Sequence, residues 1–164
     1  MAAKTFGFGQ RAGQVVQTAY VVQRIRPAID WWINDGRAGP FFLLESFTGG
    51  DQRYRGQPTT ADVSIAMGFA GHMMIELIQP RDDKPSVYRE IVQARGYGFH
   101  HLGIAFEDVE AERVKHTLLA SVRGLGRQGS DPAFRLSFLQ NAAGPPPAAL
   151  AVSRVCVLRR CVAQ

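Results

Sequence analysis

Gln17-Thr-Ala-Tyr-Val-Val-Gln-Arg-Ile25 and His101-Leu-Gly-Ile-Ala-Phe-Glu-Asp-Val109 follow one pattern. Each opens on a side chain with a nitrogen or oxygen donor, runs through five strand-forming residues and two polar ones, and ends on a β-branched residue. Each then leads into a helix-like segment. A repeat fixes the architecture before any single motif does, because each copy is one supersecondary unit. Between the copies lies Glu76, inside the apolar run Met73-Met-Ile-Glu-Leu-Ile78. A carboxylate there is costly to bury unless it is paired or bound to a cation.

Val15 to Gln23, rich in β-branched and aromatic residues, is expected as a strand. Arg26 to Asn34 reads as a helix, with Ile25, Ile29, Trp32 and Ile33 at helical spacing and Pro27 in the first turn. Trp32 is expected to pack inward. Asp35-Gly-Arg-Ala-Gly-Pro40 ends the helix, and Phe41 to Phe47 is a second strand. Thr48 to Thr60 reads as a polar loop carrying Arg53, Tyr54 and Arg55, solvated or touching an anionic substrate. Ala61 to Phe69 and His72 to Gln79 form a hairpin across Ala70-Gly71, which completes a β-α-β-β-β order. Pro80 to Tyr97 is a linking helix, with Asp82 and Asp83 at its start and Gly96 at its end.

The pattern then restarts, with a strand over Phe99 to Phe106 and a helix over Val109 to about Val122. Beyond it the copy degrades. Phe134 to Gln140 and Ala149 to Leu158 are weak strands where the repeat calls for three, and Asn141-Ala-Ala-Gly-Pro-Pro-Pro connects them awkwardly. The organisation read from the chain is a flexible lead-in over 1–14, a first module over 15–80, a linking helix over 81–97 and a second module over 98–164, atypical and basic from about 113.

At 164 residues and 46% hydrophobic content, the chain suits one domain or two half-domains sharing a core. No apolar run nears the ~20 residues that span a bilayer, and the N-terminus lacks the apolar core of a signal peptide. A cytoplasmic protein without membrane partners is expected. Cys156 and Cys161 imply neither a disulfide framework nor a zinc pattern. The net charge of +5 is unevenly placed: residues 1–112 carry 11 Lys/Arg and 13 Asp/Glu, while 113–164 carry 8 Lys/Arg and Asp131 alone. Those arginines are scattered among Ala, Gly, Pro and Leu with no aromatic interleaving, which argues against nucleic acid as a partner.

Paired β-α-β-β-β modules of this kind resemble the vicinal oxygen chelate superfamily, which includes glyoxalase I, methylmalonyl-CoA epimerase, bleomycin-resistance proteins and extradiol dioxygenases. The likeness is carried by Gln17-Thr-Ala-Tyr-Val-Val, Ala28-Ile-Asp-Trp-Trp32, Gly39-Pro-Phe-Phe42, Ile75-Glu-Leu-Ile78, Pro85-Ser-Val-Tyr88 and Gly98-Phe-His-His-Leu-Gly103. The glyoxalase/epimerase branch is the most similar. The resemblance implies an α+β fold in which paired modules form a cupped mixed sheet, with the second module degenerate. It also implies a divalent metal (Zn, Ni, Co or Mn), with Gln17, Glu76 and His101 as ligands and Glu76 also catalytic. The implied chemistry is proton abstraction beside a metal-bound carbonyl, on a small molecule with a carbonyl, carboxyl or thioester group. A homodimer is implied as well, since superfamily sites can lie between chains.

Strand alternation agrees with that assignment. Gln17, Ala19 and Val21 share one face, as do His101, Gly103 and Ala105, so each donor is followed by small residues while bulk lies opposite. Plainer roles stay open: Gln17 as a strand-end polar residue, His101 as a core histidine, Glu76 as the partner of an arginine. His100 is expected on the helix side or rim. Phe41, Phe42, Leu44 and Met74 suggest an apolar pocket wall.

The relatives' fourth ligand, a Glu on the last strand, is missing. The step from Gln17 to Glu76, repeated from His101, lands on Arg160, and 113–164 contains no glutamate at all. Three origins are open for this segment: a shifted reading frame beginning just after Glu112, divergence into a binding or dimer surface, or completion of the site by Glu107, Asp131 or a partner chain's carboxylate. The alternative function is a non-catalytic protein that sequesters a small molecule, as bleomycin-resistance proteins do.

Overall fold

The computed structural model describes residues 11, 13–49, 52–106, 111–112, 135–139 and 155–159. They form two compact units, Gln17–His100 and a second that joins the residues up to Val16 with those from His101 on. In chain order the elements are β1 (Val15–Val21), α1 (Ile25–Asn34), β2 (Phe42–Phe47), β3 (Arg53–Tyr54), β4 (Gln57–Pro58), β5 (Val63–Ala70), β6 (Met73–Pro80), α2 (Val87–Arg95), β7 (Gly98–Ala105), β8 (Arg135–Leu139) and β9 (Val155–Arg159). The fold is α+β on mixed sheet. The expected lead-in over 1–14 and helix over 109–122 fall mostly outside the described residues, as do Asp131, Arg160 and Cys161.

In the first unit the strands run β2-β5-β6-β1, with β1 parallel to β6 and the other pairs antiparallel. The parallel pair requires a crossover. Here α1 carries the chain from β1 to β2, and the β2-β5-β6 steps bring it back. One sheet face packs on α1: Ile25, Ala38, Ala66, Ile75 and Leu77 form the buried cluster, with Tyr20, Ile29, Trp32 and Phe41 packed against it. Trp32 is inward as expected, its ring 5.7 Å from Tyr20, and Trp31 is 53% exposed. Ile33 departs from the expected stripe and is exposed. Eight positions after Ile25, it is rotated about 80° off the line of Ile25, Ile29 and Trp32.

Arg24, at the N-cap of α1, provides no side-chain cap. The Ile25 N–H instead donates to Gln79 Oε1 at 2.8 Å, so β6 caps the helix. Phe41 also departs from the expected pocket wall. It lies in the α1 core under Gly68, where an added Cβ would meet three Phe41 ring atoms at 2.9 Å.

Two boundaries differ from the sequence expectation. The polar stretch over 48–60 contains the β3–β4 hairpin, closed through Arg55 at φ 52° and Gly56 at φ 81°. Two successive positive φ values are the signature of a type I′ turn, which Gly favours. The linking helix starts at Val87 and not at Pro80, because Pro80 still belongs to β6 and Ser86 caps the helix by accepting from the Arg89 N–H at 3.2 Å.

In the second unit β9 pairs antiparallel with both β7 and β8, with Leu102 opposite Leu158 and Ser137 opposite Val157. The Gly13 N–H donates to the Ala105 carbonyl at 2.9 Å. Among the described residues no helix is long and apolar enough to cross a membrane.

Candidate functional site

The face of the first unit opposite α1 carries the candidate site. Registered partners in a sheet share a face, and the register sets Phe42, Met67, Glu76 and Ala19 in one row across four strands. The next row is Leu44, Ile65, Ile78 and Val21. Glu76 is therefore one carboxylate in an otherwise apolar row. Gln17 enters from the neighbouring row, opposite Met74, and its Nε2 donates to Glu76 Oε2 at 2.7 Å. Both side chains are buried, at 5% and 8% exposure. The parallel β1–β6 pairing makes this contact possible by bringing together residues 59 positions apart.

The row grades from covered to open. Ala19 is fully buried, while Phe42 and Leu44 at the β2 end are each 46% exposed. Two members of the expected apolar wall, Phe42 and Leu44, thus lie on this face with Met67, and Met74 is buried next to Gln17.

His101 is buried at 2% exposure on β7, in the second unit. Its neighbour His100 is buried at 1%, with its ring 5.2 Å from Tyr88 of α2. Tyr88 in turn packs on the cluster of Ala19, Val63, Ile65 and Ile78, which belongs to the Glu76 face. Sequence reasoning gave Tyr88 a place in the family likeness but none in the site. The available signal was the place of Tyr88 in the first turn of a Ser-capped helix.

Tyr54 and Arg55, read as loop residues, are held by α2. The Tyr54 hydroxyl donates to Glu90 Oε2 at 3.0 Å, and Arg55 reaches Glu90 Oε1 at 3.1 Å and the Tyr54 oxygen at 3.0 Å. Glu90 and Tyr54 together raise the Arg55 pKa above its ordinary value.

A carboxylate and an amide carbonyl are both oxygen donors, so the Gln17–Glu76 pair suits two positions of a mixed O/N divalent-metal site. Among the described residues no three His, Cys, Asp or Glu side chains gather as a metal group. In the second unit neither β8 (Arg-Leu-Ser-Phe-Leu) nor β9 (Val-Cys-Val-Leu-Arg) contains an acid.

The sequence pattern of the Glyoxalase/Bleomycin resistance protein/Dioxygenase superfamily matches residues 16–117, more than half of the chain. The chain belongs to this superfamily. The match ends where the acid-poor C-terminal segment has begun. Among solved structures, a hypothetical protein from Bacillus halodurans C-125 is 20% identical, over 82% of this chain and 80% of that one, with a TM-score of 0.49. Methylmalonyl-CoA epimerase from Mycobacterium tuberculosis is 19% identical, over 80% of this chain and 71% of that one, also at 0.49. A Streptomyces coelicolor methylmalonyl-CoA epimerase variant, in complex with 2-nitronate-propionyl-CoA, is 16% identical over 78% and 87%, at 0.45. No curated protein matches the chain. Superfamily membership covers lyases, isomerases, oxygenases and binding proteins alike, so activity has to be argued from the site.

Proposed function

We propose that this superfamily member derives from a metal-dependent lyase or isomerase that abstracts a proton beside a substrate carbonyl. Gln17 and Glu76 are two of its metal ligands, and His101, by its place in the repeat, is the third. The observation that carries this reading is the buried Gln17–Glu76 pair, a carboxylate fixed by an amide in an apolar row. A divalent cation held there would supply Lewis-acid polarisation of a carbonyl oxygen. The Gln17 amide orients the Glu76 carboxylate, and Glu76 accepts and returns the proton at a carboxylate oxygen. Phe42, Leu44 and Met67 offer the apolar part of a small carbonyl, carboxyl or thioester compound a surface on the same face. A homodimer would let a second chain supply missing ligands.

The fourth ligand has no candidate on β8 or β9. Metal binding is therefore expected to be weak and turnover poor. A second reading rests on that same deficit and on the half-exposed Phe42 and Leu44: a non-catalytic module that sequesters an apolar small molecule. Calorimetric titration of Zn²⁺, Ni²⁺, Co²⁺ and Mn²⁺ into the protein and into Glu76→Gln decides between them. Saturable binding lost in Glu76→Gln supports the metal site. Heat identical in the two proteins removes it and leaves the sequestration reading.

A further inference from the structure

On the α1 face, opposite the row that holds Glu76, the first unit has a cleft of about 580 Å³ at the junction of α1, β2, β5 and β6. This size suits a small-molecule site. Its polar lining is Arg24, Arg26, Arg81, Glu45, Ser64 and Gln79, three guanidiniums against one carboxylate. Glu45 already occupies two of the arginines: its carboxylate pairs with Arg26, and its backbone carbonyl accepts from Arg81. Arg81 is also 3.2 Å from Asp62. Among the described residues nothing pairs with the Arg24 guanidinium. The Ser64 hydroxyl donates to the Glu45 carbonyl at 2.7 Å, and Gln79 Oε1 is taken by the Ile25 N–H. The α1 N-terminus therefore contributes no obvious spare donor from Ile25, and the cleft's affinity for an anion rests on its side chains.

We propose that this cleft binds a phosphate-bearing small molecule. The charge is unbalanced toward the cation, and planar guanidiniums match the oxygen geometry of phosphate in a fork-like manner. The resident pair is easily exchanged: Arg26 and Glu45 side chains are 71% and 58% exposed, and ion pairs this open contribute little to stability. A phosphate dianion would displace the Glu45 carboxylate from Arg26 and engage Arg24 as well, which one carboxylate does not do. Glu45 is then a built-in competitor, and the site is independent of the Gln17–Glu76 chemistry across the sheet.

The test is a calorimetric titration of the full chain with inorganic pyrophosphate at low salt. Saturable binding is expected, weakened about tenfold or more by Arg24→Ala. Arg24 makes no side-chain contact on which folding depends, so that variant should stay folded. Glu45→Gln is expected to tighten binding several-fold, because it removes the competitor and keeps the shape. Lys84→Ala, outside the cleft, is expected to leave affinity unchanged. The proposal fails if no saturable heat is seen, if Glu45→Gln binds no tighter, or if Lys84→Ala weakens binding as much as Arg24→Ala.

Discussion

The amide of Gln17 and the carboxylate of Glu76 meet at 2.7 Å although 59 positions separate them in the chain. Removing the amide leaves a buried carboxylate short of a donor, which costs about 1–3 kcal/mol. Gln17→Leu should therefore lower the free energy of unfolding measured in urea by that amount. Gln17→Glu tests the cation. Two carboxylates at this distance repel when ionised, so that variant should melt earlier in chelator at neutral pH and recover when Mn²⁺ or Zn²⁺ is added. A melting temperature that ignores the cation in both the variant and the parent would count against a metal at this pair.

Gly68 and Phe41 make a second checkable pair. An added Cβ at Gly68 would meet three ring atoms of Phe41 at 2.9 Å, inside a core that holds Ala66 fully buried. Overpacking of this kind costs about 1–3 kcal/mol. Gly68→Ala should be destabilised within that range in denaturant unfolding. The double variant Gly68→Ala with Phe41→Leu should lose less than the sum of the single losses, since the residues share one space. Strict additivity would show that Phe41 is not what limits Gly68.

The order β-α-β-β-β was legible because period-two and period-3.6 patterns alternate cleanly from Val15 to Gln79. Glu76 stood out because a charge in an apolar run is expensive to bury, and Gln17 because it opens a repeated strand. Other features depended on tertiary contacts. The capping of Ile25 by Gln79 joins residues 54 positions apart, and no local signal announces it. Phe41 and Phe42 look alike in sequence, yet alternation sends one under α1 and the other to the Glu76 face. The β3–β4 hairpin was missed because its strands are two residues each, and Arg55-Gly56 is a weaker turn signal than Asn-Gly.

Asp82 predicts an acid limb in the stability profile. Burial pushes its carboxyl up, but the Asp62 and Lys84 N–H groups and the Lys84 ammonium outweigh that and hold it below its ordinary value of 3.8. A carboxylate depressed in the folded state adds stability above its unfolded pKa and loses it as pH falls through the folded one. The contribution of Asp82 should thus be intact at neutral pH and fade below about pH 4. Asp82→Asn should lower stability at pH 7 and narrow the gap from the parent as the pH drops toward 3, in urea unfolding followed across pH. A gap that stays constant over that range would remove Asp82 from the account.

Residues 1–112 carry 13 acids, residues 113–164 carry one, and the superfamily match stops at residue 117. Neither β8 nor β9 contains the carboxylate that a fourth ligand requires. A reading-frame shift near this point is one of the origins open for the segment, since a GC-rich coding sequence read one base out of phase yields Ala, Gly, Pro and Arg in excess, and it makes a checkable prediction. One of the two other frames beyond codon 112 should then encode alternating strands with a glutamate near the last of them. A protein carrying that alternative C-terminus should bind divalent metal at least about tenfold more tightly than the present chain, and Glu76→Gln should abolish the gain. If neither frame encodes such a strand, or if the exchanged protein binds metal no better, the deficit is one of divergence and the sequestration reading is the stronger.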